Sequence, residues 1–452
     1  MSVNLDAIGL TGIYAAEAEL AATESNITNA SNANYSAETA TLAVLPGSNG
    51  AGAGVEVVGT QRAEAPFLAA QINGVQADQN YNQALSQATS AAENYLTPSS
   101  GTNLGTDFQN LIDAYSNLAA TPADPTVRTS VIAAATTLAN DVGSLNTNLA
   151  AAAAGNLAQL GGLVSQVNGL SQQMAALNAE IQAAQPGNAG DAALLDQRDA
   201  LANQLAGLIG ATTDSAGNVT VGGIALVSGA NALTLATTGS GSSTGLEVAF
   251  AQGSLPVQPT QIGGTIGGVL AAAASLQQLQ TNVQNFATAM ANAVNGVQQA
   301  GFGLDGSTGV PLFLLPTAPG GSITLNPAIT PDNLAAAATA AGVPGDGSNA
   351  AAVVALASAV GLDSAFPGST LGQAFNQIAA DFGTTVSSAS NNQQQASSTL
   401  SSLQQLKSSI TGVSLNDQLS LMIEYQNALE AAGRAVQAAS DMTTFLIQEL
   451  NQ

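Results

Sequence analysis

GVSLNDQLSLMIEYQNALEAAGRAVQAASDMTTFLIQELN, residues 412–451, carries the strongest structural pattern in this sequence. Steps of four and three residues alternate almost to its end and connect Leu415, Leu419, Met422, Gln426, Leu429, Gly433, Val436, Ser440, Thr443, Ile447 and Leu450. A repeat of this period is typical of a long helix whose apolar stripe packs against another helix. Because propensity alone does not stabilise such a helix, the stripe requires a partner.

The N-terminal segment carries a second stripe of the same period. It connects Leu10, Ile13, Glu17, Leu20, Glu24 and Ile27. Burying two unpaired acids is costly, so either this stripe is only partly buried or the buried stripe is rotated onto Ile8, Ala15, Ala18 and Ala22. The sequence leaves both arrangements open. We expect residues 1–33 and 412–452 to be poorly ordered in the isolated subunit and to become helical on assembly.

Further helices are predicted between these two ends. Heptad-spaced apolar residues cover 160–181, 194–208, 276–297 (closed by Gly301) and 375–410. Another helix begins near Pro125, with Asp124 as its cap and Arg128 placed to pair with Asp124 four residues earlier. The turn PGNAG at 186–190, followed by Asp191 as an N-cap, predicts that the first two helices form a hairpin.

Strand signals concentrate in one region. Short β-branched runs separated by Gly, Ser and Asn lie at 217–221, 224–229, 232–237 and 246–251, and they predict a small antiparallel unit. A shorter strand is predicted at 55–59. Gly/Pro-rich segments at 301–331 and 343–348 are interpreted as loops or connections.

The composition excludes several classes of function. The 452 residues include no Cys, His or Trp, which removes thiolate nucleophiles, disulfides, Cys/His zinc sites and Ser-His-Asp catalysis. Against 29 Asp and Glu there are 5 Lys and Arg, scattered singly, for a net charge of −24. Nucleic acid and anionic membrane surfaces need clustered cations, so neither is an expected partner. We expect no enzyme activity, no cofactor and no bound metal.

Two short motifs have both a functional and a structural interpretation. GLDGSTG, residues 303–309, offers an acidic ligand to calcium, but Asp-Gly occurs freely in turns and a plain turn is favoured. In LLDQRDALANQL, Arg198 is a candidate for recognising an anion. The favoured alternative places Asp196, Arg198 and Asp199 on the solvated shoulder of a helix.

The first residues of the chain show no pattern of a cleavable secretory signal. They contain no Lys or Arg, and acids interrupt their apolar positions. No stretch of the sequence approaches the roughly 20 apolar residues of a membrane-spanning helix.

TGIYAAEAELAATESNITNASNANYS, residues 11–36, resembles the N-terminal signature of flagellar axial proteins, in which a small-residue helix leads into Asn-Ile-x-Asn-Ala and then Tyr-Ser. VEVVGTQRAEAPFL resembles the segment that follows it, with Arg62 and Phe67 in matching places. Several further stretches are similar to the hook-associated protein 1 family, namely 123–131, 193–205, 298–309 and 412–451.

This resemblance implies an extracellular structural subunit of the bacterial flagellum that joins hook to filament. It implies export through the flagellar channel without a cleaved signal peptide, and head-to-tail assembly through terminal amphipathic helices. The implied partners are further copies of the chain in a helical homo-oligomer, the hook protein, the second hook–filament junction protein, and an export chaperone at the C-terminal helix.

The predicted fold is mainly α, with long heptad-patterned helices, terminal helices packing together in a coiled-coil-like bundle, and a small inserted antiparallel β domain. The predicted divisions are 1–33 with 412–452 as inner-tube helices, 34–210 with 263–300 and 370–411 as bundle core, 211–262 as the β domain, and 301–369 as a Gly/Pro-rich connection or reduced outer domain. The predicted assembly interface comprises Leu10, Ile13, Leu20, Ile27, Leu415, Leu419, Met422, Leu429, Val436, Ile447 and Leu450.

Other functions compete with this interpretation. Flagellin and the second junction protein share terminal heptads. From a different class, acidity and Gly/Ser/Thr content fit a calcium-stabilised extracellular adhesin. A carboxylate-based hydrolase is a more distant alternative, because no carboxylate pair lies among the aromatic residues that a sugar subsite needs.

Overall fold

The computed structural model describes residues 5–46, 52–96, 103–184, 189–239, 244–318 and 320–450. Its helices are α1 (Leu5–Asn29), α2 (Pro66–Leu96), α3 (Leu104–Ala120), α4 (Pro125–Ala183), α5 (Ala189–Ile209), α6 (Gly264–Ala300), α7 (Ser348–Ala355), α8 (Leu371–Thr411) and α9 (Leu415–Leu450). Its strands are β1 (Glu38–Pro46), β2 (Gly52–Arg62), β3 (Thr212–Thr213), β4 (Val219–Val221), β5 (Ile224–Ser228), β6 (Asn231–Ala232), β7 (Thr234–Thr238), β8 (Gly245–Phe250), β9 (Gly253–Val257), β10 (Phe313–Leu314) and β11 (Thr324–Leu325). The predicted mainly α fold class is confirmed.

The longest helix, α4, begins where the sequence predicts. Asp124 is extended and its side chain accepts from the Thr126 amide, while Pro125 occupies the first turn, where its missing amide hydrogen is not needed. The helix then runs for 59 residues. It is therefore long enough to contribute to two hydrophobic cores along its length.

The first core belongs to a helical bundle. It joins the end of α2, all of α3, the first half of α4, α6 and the start of α8. Phe286 of α6 and Phe375 of α8 meet near its centre with ring centroids 5.6 Å apart. The segment 301–369, predicted as a connection or reduced outer domain, belongs to this core instead, because its apolar residues Leu312, Phe313, Leu334 and Val353 are buried there.

The second core lies under the predicted β insert. The second half of α4, α5 and the start of α6 cover a four-stranded sheet of order β3-β4-β5-β6 and a three-stranded sheet of order β7-β8-β9. The strand predicted at 232–237 is divided between β6 and β7, which belong to different sheets. Strand β9 was not predicted, since Gly253 and Pro256 disfavour a strand and are tolerated here only at the sheet edge.

A long hairpin interrupts the region predicted as helical core. The sequence predicts only the strand 55–59, yet β1 and β2 pair antiparallel from Glu38 opposite Arg62 to Pro46 opposite Gly52. The hairpin packs on α1, which gives the two strands the apolar support that an isolated pair lacks.

The predicted helical hairpin around α5 is altered in detail. Helix α5 begins at Ala189, so Asp191 lies inside its first turn and is not the N-cap. Most of the predicted turn at 186–190 lies outside the described residues. At the end of α6, by contrast, Gly301 is the C-cap, as predicted.

Arg128 is the least expected member of the bundle core. Its side chain is 1% exposed and donates to three backbone carbonyls, those of Pro122 (2.6 Å), Pro331 (2.9 Å) and Leu334 (2.6 Å). Burial lowers the pKa of Arg128, and the nearby Asp332 partly offsets that shift. The predicted pairing with Asp124 is wrong, because the guanidinium points inward and fastens the α3–α4 turn to the segment around 331–334.

Replacing this side chain tests its structural role. Arg128→Ala leaves buried carbonyls without donors, each costing about 1–3 kcal/mol, so we expect the full chain to lose roughly 3 kcal/mol or more of unfolding free energy. Arg434→Ala, which removes an exposed arginine from α9, is the matched control and is expected to change stability by less than about 0.5 kcal/mol. Equal urea midpoints for the two variants would contradict the assignment.

Candidate assembly interface

The two terminal helices pack against each other in an antiparallel pair. Three contacts define the register: Asn26 donates to the Gln418 side chain at 3.0 Å, Gly12 faces Ala432, and Gly9 faces Val436. Residue numbers rise along α1 as they fall along α9. The predicted packing of the N- and C-terminal helices together is therefore observed within one chain.

Two glycines allow the helices to approach closely. A Cβ atom placed on Gly9 would lie 2.6 Å from Cγ2 of Val436, which is closer than van der Waals contact permits. A Cβ on Gly12 would lie 3.5 Å from the Cβ of Ala432, an ordinary contact. Gly9 is thus required by the packing, whereas the site at Gly12 has room for a small side chain.

The face of α1 that is buried is the rotated stripe. Ala15, Ala16 and Ala22 are buried, whereas Glu17 and Glu24 are exposed. The two acids therefore carry no desolvation penalty, because they lie on the solvent side of the helix. Of the two arrangements that the sequence leaves open, the structure has the one in which small residues meet α9 and the β hairpin.

The predicted interface residues are consequently not brought together in one buried seam. Val436 packs on Gly9, but many others are half-buried or exposed on the outside of the pair. Half-buried residues are Ile13, Leu20, Ile27, Met422, Leu429 and Val436, and exposed ones are Leu10, Leu415, Leu419 and Ile447. The side chain of Leu450 lies outside those described.

That the terminal segments are poorly ordered in the isolated subunit and become helical on assembly stays a prediction. Each terminal helix finds its partner in the same chain. The remaining exposed apolar residues, rather than the whole helices, are what the pair leaves uncovered.

A cluster of hydrogen-bonded polar residues connects the pair to the rest of the subunit. We call it the clasp, and it comprises Asn26, Tyr35, Glu38 and Gln418. At the end of α1, Asn26 is 2% exposed; its amide nitrogen donates to the Glu38 carbonyl and its amide oxygen accepts from the Glu38 backbone nitrogen, both at 2.8 Å. The Tyr35 hydroxyl donates to the same Asn26 oxygen at 2.9 Å. One side chain thus holds α1, β1 and, through Gln418, α9.

Charged residues extend the clasp to α5. One Arg62 nitrogen donates to Asp196 at 2.8 Å and to Asp199 at 2.9 Å, and the Asp196 carboxylate also accepts from the Ser36 backbone nitrogen. Asp196 is buried, so its predicted place on a solvated shoulder is wrong. Arg198 points elsewhere, with its aliphatic stem near Gly217 in the β insert.

The electrostatics of the clasp follow from its burial. Burial raises the pKa of the Tyr35 hydroxyl to about 12. Burial and the neighbouring Asp196 carboxylate raise the pKa of Glu38. Burial alone would lower the pKa of Arg62, but Asp199 and Asp196 outweigh it and raise that pKa, so the guanidinium is the fixed positive charge of the cluster.

The motif GLDGSTG forms a turn. The Asp305 side chain accepts from the Ser307 backbone nitrogen at 2.9 Å, and Gly306 and Gly309 have positive φ angles of 77° and 80°. Among the described residues, no three acidic side chains are grouped so that they could hold a metal ion. Within the same described ranges, none of the helices combines the length and apolarity needed to span a bilayer.

Asn26 offers a direct test of the clasp. Asn26→Asp cannot donate to the Glu38 carbonyl or to Gln418 and adds a buried negative charge, so we expect a loss of about 2–4 kcal/mol and faster amide exchange in the first turns of α9. Asn29→Asp adds the same charge one turn later, where Asn29 donates only within its own helix, and is expected to change stability by less than about 1 kcal/mol. Equal exchange rates in both variants would show that Asn26 does not hold the pair.

Known proteins resemble this chain over most of these elements. Residues 89–313 match the family described as Flagellar hook-associated protein FlgK helical domain. The chain is 28% identical over 329 residues to Flagellar hook-associated protein 1 of Escherichia coli (strain K12), an alignment that covers 68% of this chain and 59% of that protein. It is 29% identical over 321 residues to Flagellar hook-associated protein 1 of Salmonella typhimurium, covering 67% and 58%.

A solved structure is also similar. The flagellar hook junction protein FlgK from Burkholderia pseudomallei superposes with a TM-score of 0.49 at 26% identity, over 54% of this chain and 46% of that one. The chain spans less than two thirds of the length of the curated relatives that it matches. The family match and the two curated relatives show that this chain is similar to the flagellar hook-associated protein 1 family.

Proposed function

We propose that this chain is a structural subunit of the bacterial flagellum that joins the hook to the filament. The observation that carries the proposal is the α1–α9 pair, which is complete within one chain and still exposes large apolar side chains along its outer face. Relatives named Flagellar hook-associated protein 1 support the same role. The role requires surfaces for assembly and no catalytic group.

The exposed apolar residues of α9 are the proposed contacts with neighbouring subunits. Leu415, Leu419 and Ile423 are 49%, 40% and 59% exposed and succeed one another every four residues, so they lie on one face. A patch of this kind on a subunit surface is typical of a protein contact. The other predicted interface residues stay part of the proposal, with Val436 also packing on Gly9 of its own chain. They are Leu10, Ile13, Leu20, Ile27, Met422, Leu429, Val436, Ile447 and Leu450.

The charge of the chain limits how its copies bind each other. Two of the five basic residues, Arg62 and Arg128, are occupied inside the subunit, and Arg434 is paired with Glu430 on its own helix. Contacts between copies are therefore mainly apolar and uncharged. The net charge of −24 keeps unassembled subunits apart and soluble.

The proposed partners, location and export route rest on the similarity to the flagellar hook-associated protein 1 family. The proposed partners are further copies of the chain, the hook protein, the second junction protein and an export chaperone at the C-terminal helix. We place the protein outside the cell, exported through the flagellar channel without a cleaved signal peptide. In this arrangement 1–33 and 412–452 form the inner tube, and the β insert at 211–262 points outward.

Deleting the gene in its source bacterium tests this function. We expect hooks without filaments in electron micrographs and loss of swimming, both restored by the wild-type gene. Leu419→Asp places a charge on the exposed apolar face of α9 and is expected to fail in restoring filaments. Ala428→Asp adds the same charge at an exposed position of α9, nine residues from Leu419 and so on the opposite side of the helix, and is expected to restore them.

The two variants are compared for export and for folding by circular dichroism before motility is scored. Filaments of normal number and length in the deletion strain would refute the junction role. Normal filaments with Leu419→Asp alone would refute the proposed face of α9 and leave the junction role standing.

A further inference from the structure

A groove opens beside the second half of α1. Its volume is about 550 Å³, and its lining comes from α1, the segment that follows it, β1, β2 and α5. Small apolar residues form much of the wall, namely Ala18, Ala21, Ala22, Ala193 and Ala200. Uncharged amides such as Asn29, Asn32 and Gln197 share the lining with the carboxylates of Glu38 and Asp196.

The other end of the terminal pair carries an apolar segment without cover. Helix α9 has 36 residues and the described part of α1 has 25, so α9 continues past Leu5, the first described residue of α1. Among the residues whose burial is described, Ala439 is the last buried one, and 441–449 are all exposed. This overhang, residues 440–450, presents Met442, Phe445, Leu446 and Ile447 to solvent at 54–60% exposure.

The overhang continues an interface that already exists. Val436 and Ala439 belong to the face of α9 that packs on α1, and the helical repeat brings Thr443 and Leu446 onto the same face further along. The face therefore runs beyond the residues of α1 that cover it. Another surface with small apolar residues is needed to bury the part of this face that lies beyond Ala439.

The groove of the same chain is out of reach. Because α1 and α9 are antiparallel, the overhang leaves the pair at the N-terminal end of α1, whereas the groove lies along Ala18 to Asn29 at the opposite end. At 1.5 Å per residue, these ends are separated by roughly 20 Å or more of continuous helix. An occupant supplied by this protein must come from another copy.

The overhang of another copy matches the groove in length and in chemistry. The overhang is about 15 Å long and the groove runs about 18 Å along α1, by the same rise per residue. The overhang carries acids only near its two ends, Asp441 and Glu449, and the seven residues between them, MTTFLIQ, are uncharged. This uncharged middle part suits a groove that contains the carboxylates of Glu38 and Asp196, the second of which is paired with Arg62. Alanine walls leave room for the larger side chains of the overhang, as small residues do wherever helices pack closely.

We propose that the overhang of one copy docks in the groove of the next copy, with Phe445 and Leu446 against Ala18, Ala21 and Ala22. The inference rests on the proposed structural role and specifies the contact by which copies join. Groove and overhang lie at opposite ends of one pair, so each docked copy presents a free groove or a free overhang at its outer end. Such a heterologous contact propagates in one direction, as a helical assembly requires.

Disulfide trapping tests the contact cleanly because the chain has no cysteine. In Ala21→Cys/Leu446→Cys, both thiols lie on exposed positions, one in the groove and one on the overhang. Oxidation of the concentrated protein is expected to give a ladder of dimers, trimers and higher species on non-reducing gels. Ala133→Cys/Leu446→Cys, with its first thiol on an exposed alanine of α4 outside the groove, is expected to give about tenfold fewer linked chains, since nothing holds that site near the overhang.

Equal ladders from the two double variants would overturn the proposal, as would closed dimers without higher species. The single variants Ala21→Phe and Leu446→Asp supply an independent measurement by sedimentation velocity. Filling the groove or charging the overhang is expected to weaken self-association about tenfold or more, while Ala133→Phe leaves it unchanged. If trapping fails although the deletion strain lacks filaments, the docking geometry is wrong and the junction role stands.

Discussion

The close antiparallel contact between α1 and α9 is the interaction on which the subunit depends. Gly9 lets the backbone of α1 approach Val436, and small residues meet again where Gly12 faces Ala432. A chain so rich in small residues cannot bury much area per side chain, so it gains contact by bringing helix axes together over many turns. The pair brings the first and the last described helices of the chain into contact.

The clasp gives that pair a fixed position on the body of the molecule. Asn26 satisfies both backbone polar groups of Glu38 and also reaches Gln418, which ties the first helix, the hairpin and the last helix at a single point. Arg62 extends the connection to α5 through two carboxylates. The bonds between Asn26 and Glu38 are buried and those to Gln418 and from Arg62 are partly buried, so replacing one group leaves its partners poorly satisfied and the cluster acts as a unit.

Periodicity in the sequence predicts the elements better than it predicts their neighbours. The start of α4 at Pro125, the end of α6 at Gly301 and the strands around Val219 and Ile224 follow from local signals. The buried face of α1 does not, because a stripe of leucines and a stripe of alanines both have the helical period, and only the packing of α9 and the β hairpin on α1 selects the alanines. Arg62 and Asp196 are 134 residues apart in the sequence, and no local pattern predicts their contact. The sequence marks the segments of the clasp through the signature around Asn26 and Tyr35, the family match at Arg62 and the charge cluster at 194–205. None of these signals indicates which side chains bind one another.

One measurement tests directly whether the terminal pair exists within a single chain. Cβ atoms at positions 12 and 432 would lie 3.5 Å apart, within the range that a disulfide spans. In dilute solution, Gly12→Cys/Ala432→Cys is therefore expected to close an intrachain disulfide rapidly, seen as a monomer of altered gel mobility, while Glu17→Cys/Ala432→Cys, with Glu17 on the exposed side of α1, closes slowly. Equal rates for the two pairs, or disulfides formed only between chains, would contradict the intrachain pair.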